Sequence, residues 1–355
     1  MTGVLHLIRA MRRIADLLTA ARVVYAVTIV GWQALRLVFG DRWWWLAVAN
    51  TFSLYLFLPL AFLAPLALLS RRRAAILATL VPLVILLLLF GGLFLPRVSP
   101  ATASEAALFR VLTLNVLYLN DDGAAVQRLV QDEQPDVICL QELTPRIAAD
   151  LEVRLRDAYP YRFLLPEEGT TGIGVFSRYP LHDEGELPDP AEEVGWWWNG
   201  AQVVTVDMGG RQVKLLNVHA IPPPSSISAS RWSEIFETVV RLREQELELW
   251  MDWVEQQDGP VVVAGDFNLT DQNAGYRLVA ARLNDAHRRA GWGWGHTWQA
   301  YRSGYAGLPL PSRLLRLDYV WYSDHWQAVE SHVGAWDHQS DHLPVVAALT
   351  LSGTR

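Results

Sequence analysis

Two short polar motifs each close an apolar run. Gly265-Asp266-Phe267-Asn268 follows Pro260-Val261-Val262-Val263-Ala264, and Ser340-Asp341-His342 precedes Leu343-Pro344-Val345-Val346. Carboxylate, carboxamide and imidazole groups bind metal ions and move protons. Both motifs place such groups at the end of a run that reads as a buried strand. The pattern recurs along the chain. Asn115 interrupts Leu112-Thr113-Leu114-Asn115-Val116-Leu117, and Gln141 and Glu142 end Val137-Ile138-Cys139-Leu140. Asn217 and His219 end Val213-Lys214-Leu215-Leu216, and Asp318 sits within Arg316-Leu317-Asp318-Tyr319-Val320-Trp321. One such residue at a strand end is ordinarily a turn or cap. Their arrival together, always in strand context, points to one polar site at the rim of a sheet.

A rim needs strands to position it. Residues 109–117, 136–142, 172–178, 202–208, 212–219, 260–266, 316–322 and 343–351 read as strands. Residues 123–134, 145–157 and 230–256 read as helices, the last carrying Trp232, Ile235, Phe236, Val239, Leu242 and Leu249 near helical spacing. Asp207-Met208-Gly209-Gly210 is a hairpin signal. Hairpins mixed with βα units predict mixed sheets with helices outside, an α/β sandwich rather than a doubly wound parallel sheet. The single cysteine, Cys139, lies in an apolar strand and reads as a small buried hydrophobe, so neither an intrachain disulfide nor a cysteine-rich zinc site is available.

Before residue 100 the chain changes character. Residues 43–69 and 74–96 are almost wholly apolar, and each exceeds the ~20 residues needed to cross a bilayer. Residues 21–40 are a weaker third span, interrupted by Arg22, Gln33 and Arg36. Successive long apolar stretches are not a cleavable signal peptide. Arg71, Arg72 and Arg73 join the two strongest spans, and Arg9, Arg12 and Arg13 precede the first. Short arginine-rich loops stay in the cytoplasm, so the span 74–96 runs outward and the rest of the chain lies outside. Trp43, Trp44 and Trp45 then fall at the outer interface. The expected organisation is a membrane anchor of two to three helices over 1–98, a linker over 99–107 and a catalytic domain over 108–355. Of 37 acids and 30 basic residues, two acids and ten bases fall in residues 1–100, leaving 35 acids against 20 bases beyond them, a balance of −15. That is the opposite of the basic footprint with which proteins grip nucleic acid nonspecifically.

In their order, Leu140-Gln141-Glu142, Gly265-Asp266-Phe267-Asn268, the Arg316-to-Tyr319 stretch and Ser340-Asp341-His342-Leu343-Pro344 resemble the endonuclease/exonuclease/phosphatase superfamily over about residues 108–351. That superfamily includes DNase I, abasic-site endonucleases, inositol polyphosphate 5-phosphatases and neutral sphingomyelinases. The resemblance implies a four-layer α/β sandwich with two mixed sheets and divalent-metal-dependent hydrolysis of a phosphate ester. Glu142 is the metal candidate, because a hard ion such as Mg²⁺, or alternatively Mn²⁺, takes carboxylate oxygen. Asn115 positions metal or phosphate. His342 resembles the general base, oriented by Asp341 or by Asp318. Asp266 orients the attacking water or binds metal, Asn268 holds a phosphate oxygen, and His219 resembles the histidine that donates to the phosphate in DNase I and sphingomyelinases.

Superfamily membership leaves the substrate open. An acidic domain, tethered to a bilayer and outside the cytoplasm, favours a lipid-borne phosphate, either a phosphodiester head group or a polyprenyl pyrophosphate. Trp196, Trp197 and Trp198 support this: in an extended segment side chains alternate, so three consecutive tryptophans do not all enter one core, and an interfacial loop is the functional reading. Gly291-Trp292-Gly293-Trp294-Gly295 offers two more aromatics. The alternatives are a membrane-anchored extracellular nuclease, with nucleic acid the less favoured substrate, and a catalytically inactive binding protein. The intact polar set argues against the latter.

Overall fold

The structure is a computed structural model that describes residues 2–70, 72–95, 108–191, 200–223, 231–299, 304–305, 308–309 and 312–352. The chain divides into two compact units, Met1–Phe94 and Leu95–Arg355.

The first unit is helical: α1 (Thr2–Phe39), α2 (Trp44–Thr51), α3 (Leu60–Ser70) and α4 (Arg73–Phe90), with 3₁₀ turns at Ser53–Phe57 and Gly91–Phe94. Arg9–Phe39, Ser53–Ser70 and Arg73–Phe94 are long and apolar enough to cross a membrane. Ile29, Trp32, Leu46, Phe57, Leu60, Phe90 and Leu93 form the core, while Val24, Val27, Leu68 and Leu88 are exposed. The apolar run 43–69 proves not to be one helix. α-Helical geometry stops at Phe52, a 3₁₀ turn covers Ser53–Phe57, and α3 begins after Pro59, which has no backbone N–H to donate. The weaker candidate 21–40 is the second half of α1, a continuous helix of 38 residues.

The second unit contains β1 (Phe109–Asn115), α5 (Gly123–Glu133), β2 (Val137–Gln141), α6 (Pro145–Leu155), β3 (Tyr161–Leu165), β4 (Ile173–Ser177), β5 (Leu181–Glu186), β6 (Ala201–Asp207) and β7 (Gln212–His219). It continues with α7 (Trp232–Glu255), β8 (Val261–Asp266), α8 (Ala274–Ala280), β9 (Asn284–Asp285), α9 (Ala286–Ala290), β10 (Gly304–Tyr305), β11 (Leu308–Pro309), β12 (Asp318–Tyr322), β13 (Trp326–Val333) and β14 (Val345–Leu351). Two six-stranded sheets run β13-β14-β1-β2-β4-β3 and β5-β6-β7-β8-β12-β9. Each is mixed. The pairs β1–β2 and β7–β8 are parallel, joined by α5 and α7, and their neighbours are antiparallel. Capping sets the helix starts: Asp122 accepts from the Ala124 and Ala125 amides, and Thr144 from that of Ile147 ahead of Pro145.

Three apolar layers result. Between the sheets lie Phe109, Val111, Val137 and Cys139 of one and Val213, Leu215, Val262, Ala264 and Val320 of the other. Leu112, Leu114, Ile138 and Leu140 pack outward on α5 and α6. Leu216, Val218, Val261, Val263 and Trp321 pack outward against Leu247, Trp250 and Met251 of α7. This is the four-layer sandwich expected. Along α7 the packed residues are Val239, Leu242, Leu247, Trp250, Met251 and Val254 rather than Leu249. The alternation of side chains along a strand has a further consequence. Continuing the inner register of β1, β2, β7, β8 and β12 to one end brings in Asn115, Gln141, Asn217, His219, Asp266 and Asp318. The polar set is therefore the cap of the layer between the sheets.

Candidate active site

Strand pairing places the carboxylates. Asp318 of β12 lies opposite Asp266 of β8, and His219 of β7 is also in register with Asp266. Polar side chains tie the two rims together. Asn115 Nδ2 donates to Asp266 Oδ2 at 3.2 Å and to Glu142 Oε1 at 3.0 Å, and Gln141 Nε2 donates to Asn217 Oδ1 at 2.7 Å. Gly265 makes the approach of β8 to β7 possible: a Cβ there would lie 1.9 Å from the Val218 carbonyl oxygen, at φ +154°. Glu142 and Asn268 both occupy left-handed backbone, φ 55° and 49°. Such strain in non-glycine residues persists where the surroundings over-determine it, commonly at functional sites.

Around the histidine the geometry is well defined. His342 Nδ1 and Asp318 Oδ2 are 2.8 Å apart and both side chains are buried. Donation from Nδ1 to the carboxylate leaves Nε2 of the neutral ring as the acceptor. Nε2 lies 3.7 Å from Asp266 Oδ2. Asp341, the other carboxylate considered as the orienter, instead accepts from Trp298 Nε1 at 3.1 Å. The His342 amide donates to Ser340 Oγ, and that hydroxyl donates to the Asn115 carbonyl, which locks the last motif to β1. Thr297 Oγ1 receives the amides of Leu317 and Asp318. Asn268 donates its amide to Asp266 Oδ1 and one side-chain N–H to the Ala220 carbonyl.

Burial and neighbouring charge set the protonation states. Burial alone would lower His342, but the carboxylates of Asp318 and Asp266 hold it well above the ordinary 6.5. Burial brings His219 down to about 4, against the pull of Asp266. His219 is therefore neutral near pH 7, and its 3.7 Å approach to Asp266 is not an ion pair there. Burial, reinforced by Asp318, raises Asp266 against the two histidines. Burial also raises Glu142, opposed by hydrogen bonds from Asn115 and the Tyr118 amide.

The donor set fits a hard divalent cation. Asp266, Asp318 and His342 each offer an atom within 4.8 Å of the others. Asp318 Oδ1 is buried with no hydrogen-bond partner among the described residues, an oxygen with its lone pairs uncommitted. Glu142 supplies carboxylate oxygen alongside, the chemistry Mg²⁺ or Mn²⁺ selects, while Asn115, whose Oδ1 accepts the Leu117 amide, turns its Nδ2 toward Glu142 and Asp266 and positions those carboxylates.

The structure thus gathers Asn115, Glu142, His219, Asp266, Asn268, Asp318, Asp341 and His342 at one end of the sandwich. Trp196, Trp197 and Trp198 lie outside the described residues. Thr297 and Trp298 were missed, since a loop polar residue among aromatics carries no periodic signal. Arg316, part of the motif stretch, proves structural: it is buried, bidentate to Asp285 at 2.9 and 2.6 Å, and stacked over Tyr319.

Comparison with known proteins agrees with this geometry. The family model described as the Endonuclease/Exonuclease/phosphatase family matches residues 112–342. The endonuclease/exonuclease/phosphatase from Beutenbergia cavernae is 25% identical with a TM-score of 0.54, over 69% of this chain and 72% of that one. The fold is shared with D. rerio TDP2 complexed with single strand DNA product (18% identity, TM-score 0.53, 69% and 99% coverage). It is shared also with truncated Caenorhabditis elegans TDP2 (19%, 0.51, 68% and 98%). A search of curated proteins finds no match. The matched span runs from the strand that carries Asn115 to His342 itself, and the chain belongs to the endonuclease/exonuclease/phosphatase family, whose members hydrolyse phosphoester bonds.

Proposed function

We propose that this protein is a multi-pass membrane hydrolase with an extracytoplasmic catalytic domain. It acts with Mg²⁺, or Mn²⁺ in its place, on a lipid-borne phosphodiester or pyrophosphate. The observation that carries the chemistry is the buried 2.8 Å contact between His342 Nδ1 and Asp318, with Nε2 turned toward Asp266. In its neutral form, with Nδ1 donating to Asp318, His342 takes on Nε2 the proton of a water held beside Asp266. The water oxygen bonds to phosphorus as the ester or anhydride oxygen leaves with its electron pair. His219 donates to a phosphate oxygen from its neutral ring, and Asn268 does so with its second side-chain N–H. Glu142, with Asp266 and Asp318 adjacent and Asn115 positioning the Glu142 and Asp266 carboxylates through its Nδ2, would hold the cation, which when bound would supply positive charge against the charge developing on the phosphoryl group.

The lipid reading draws on the three apolar helices, the acidity of residues 101–355 and the arginines at 71–73. Release of phosphate and head groups should be screened over phospholipids, polyprenyl pyrophosphates, inositides and plasmid DNA, with each metal. Turnover of DNA with no lipid hydrolysed would replace this reading with a tethered nuclease. A C-terminal alkaline phosphatase fusion should be active; an inactive fusion beside an active cytoplasmic reporter would reverse the topology. Replacing Trp196, Trp197 and Trp198 with alanine should weaken hydrolysis in liposomes more than hydrolysis of a soluble ester, and equal losses would remove them from the membrane contact.

A further inference from the structure

The helical unit buries a cation that it cannot neutralise. Arg22, on α1, is 1% exposed, and its Nε has no hydrogen-bond partner among the described residues. Only two acids occur in residues 1–100. Asp16 is exposed and pairs with Arg72. Asp41, beyond the far end of α1, accepts from Asn50 at 2.7 Å. Neither pairs with Arg22. An uncompensated guanidinium is among the costliest groups to hold in an apolar interior, and such residues in membrane segments normally mark a ligand or a counter-ion.

Its position suggests which ligand. Helices α1 and α4 run side by side in the same direction: Asp16 meets Arg72 at the start of α4, and Ile29 and Trp32 share a core with Phe90 at its end. Arg22 is six residues past Asp16, about 9 Å further along the helix. The buried side chains of α4 near that level are small: Ala75, Ala78 and Thr79. Arg9, Arg12, Arg13, Arg72 and Arg73 lie at the same end of the two helices, a charge pattern that attracts anionic head groups.

We propose that Arg22 is the floor of an anion site between the helices, taking the phosphate group of an anionic lipid. The planar guanidinium matches phosphate oxygens in a bidentate fashion, and the surrounding arginines raise the local concentration of anionic lipid. This rests on reading the unit as membrane-spanning. The test is native mass spectrometry of the delipidated full-length protein in detergent, with phosphatidylglycerol, phosphatidylcholine or inorganic phosphate added. Wild type should retain one phosphatidylglycerol, and Arg22→Gln should bind it at least ~10-fold more weakly. Arg42→Gln, at an exposed arginine beyond the far end of α1, should stay within about threefold. Binding of inorganic phosphate by wild type but not by Arg22→Gln, with no gain from phosphatidylglycerol, supports the site with a free anion as its occupant. Equal retention of phosphatidylglycerol by wild type and Arg22→Gln overturns the proposal. Should Arg22→Gln not fold, equal retention of both lipids by wild type, with no response to phosphate, overturns it as well. Protein that remains soluble without detergent overturns the membrane reading instead.

Discussion

Asp318→Asn tests the site geometry most directly. The Asp318 carboxylate and the His342 ring are both buried and 2.8 Å apart. A hydrogen bond to a charged group contributes about 1.5–3 kcal/mol. Asparagine at that position also lets the ring settle with the wrong nitrogen protonated, a further cost of roughly similar size. Together about 3–6 kcal/mol is at stake, or roughly 10²–10⁴-fold in kcat/KM. Asp341 is the control, because sequence alone does not choose between the two. Its hydrogen bond goes to Trp298 Nε1, and asparagine retains an acceptor, so Asp341→Asn should cost less than about tenfold. Initial rates on bis(p-nitrophenyl) phosphate with Mg²⁺ or Mn²⁺ would measure both variants, and melting temperatures would confirm that both are folded. An NMR titration adds a second readout. Asp318 is the foremost group raising His342, so its removal should bring the histidine down toward its ordinary 6.5. A folded Asp341→Asn protein that loses as much activity as Asp318→Asn would refute the assignment of Asp318 as the orienting carboxylate.

Three further outcomes follow from the same structure. Gly265→Ala should fail to fold or lose more than ~4 kcal/mol, since its Cβ would meet the Val218 carbonyl oxygen at 1.9 Å; a melting temperature within a few degrees of wild type would contradict the close strand approach. His287 is held at about 4 against an ordinary 6.5, chiefly by burial. The unfolded chain therefore binds more protons between those values, and the stability His287 contributes is complete above pH 6.5 and lost as pH falls through 4, at most about 3 kcal/mol. In guanidinium unfolding from pH 7 to 4.5, His287→Gln should lose less stability than wild type, and parallel curves would show that burial of His287 carries no such cost. Chelation of divalent ions should abolish hydrolysis, and Mg²⁺ or Mn²⁺ should restore it; activity that persists in excess chelator would remove the cation from the site.

Legibility in the sequence followed burial. β1, β2, β4, β7, β8, β12 and β14 were readable because their strands are buried along nearly their whole length, which leaves continuous apolar runs. β5 escaped because it is a sheet edge with a largely exposed, polar face, Leu181-His182-Asp183-Glu184-Gly185-Glu186; β3, also an edge, escaped because Phe163-Leu164-Leu165 is too short an apolar run to mark a strand. β13 is also an edge strand. Its buried Trp326 and Ala328, alternating with exposed Gln327, give a short period-2 signal that a search for long apolar runs passes over. The short helices α8 and α9 span too few turns to establish periodicity.

For the site, the sequence by itself determined the residue types and the strand ends that carry them, because a polar group interrupting an apolar run is visible locally. It also determined that residues 1–100 are arginine-rich, acid-poor and apolar, since composition needs no contacts. Only the tertiary structure decided which groups meet. Asp318 and His342 are 24 residues apart in sequence, and Asn115 and Asp266 are 151 apart. Their pairing depends on two sheets facing one another with the polar ends of both inner registers aligned. The same holds for Arg22: its charge is plain in the sequence, but its burial and its missing counter-charge exist only once α1 lies against α4.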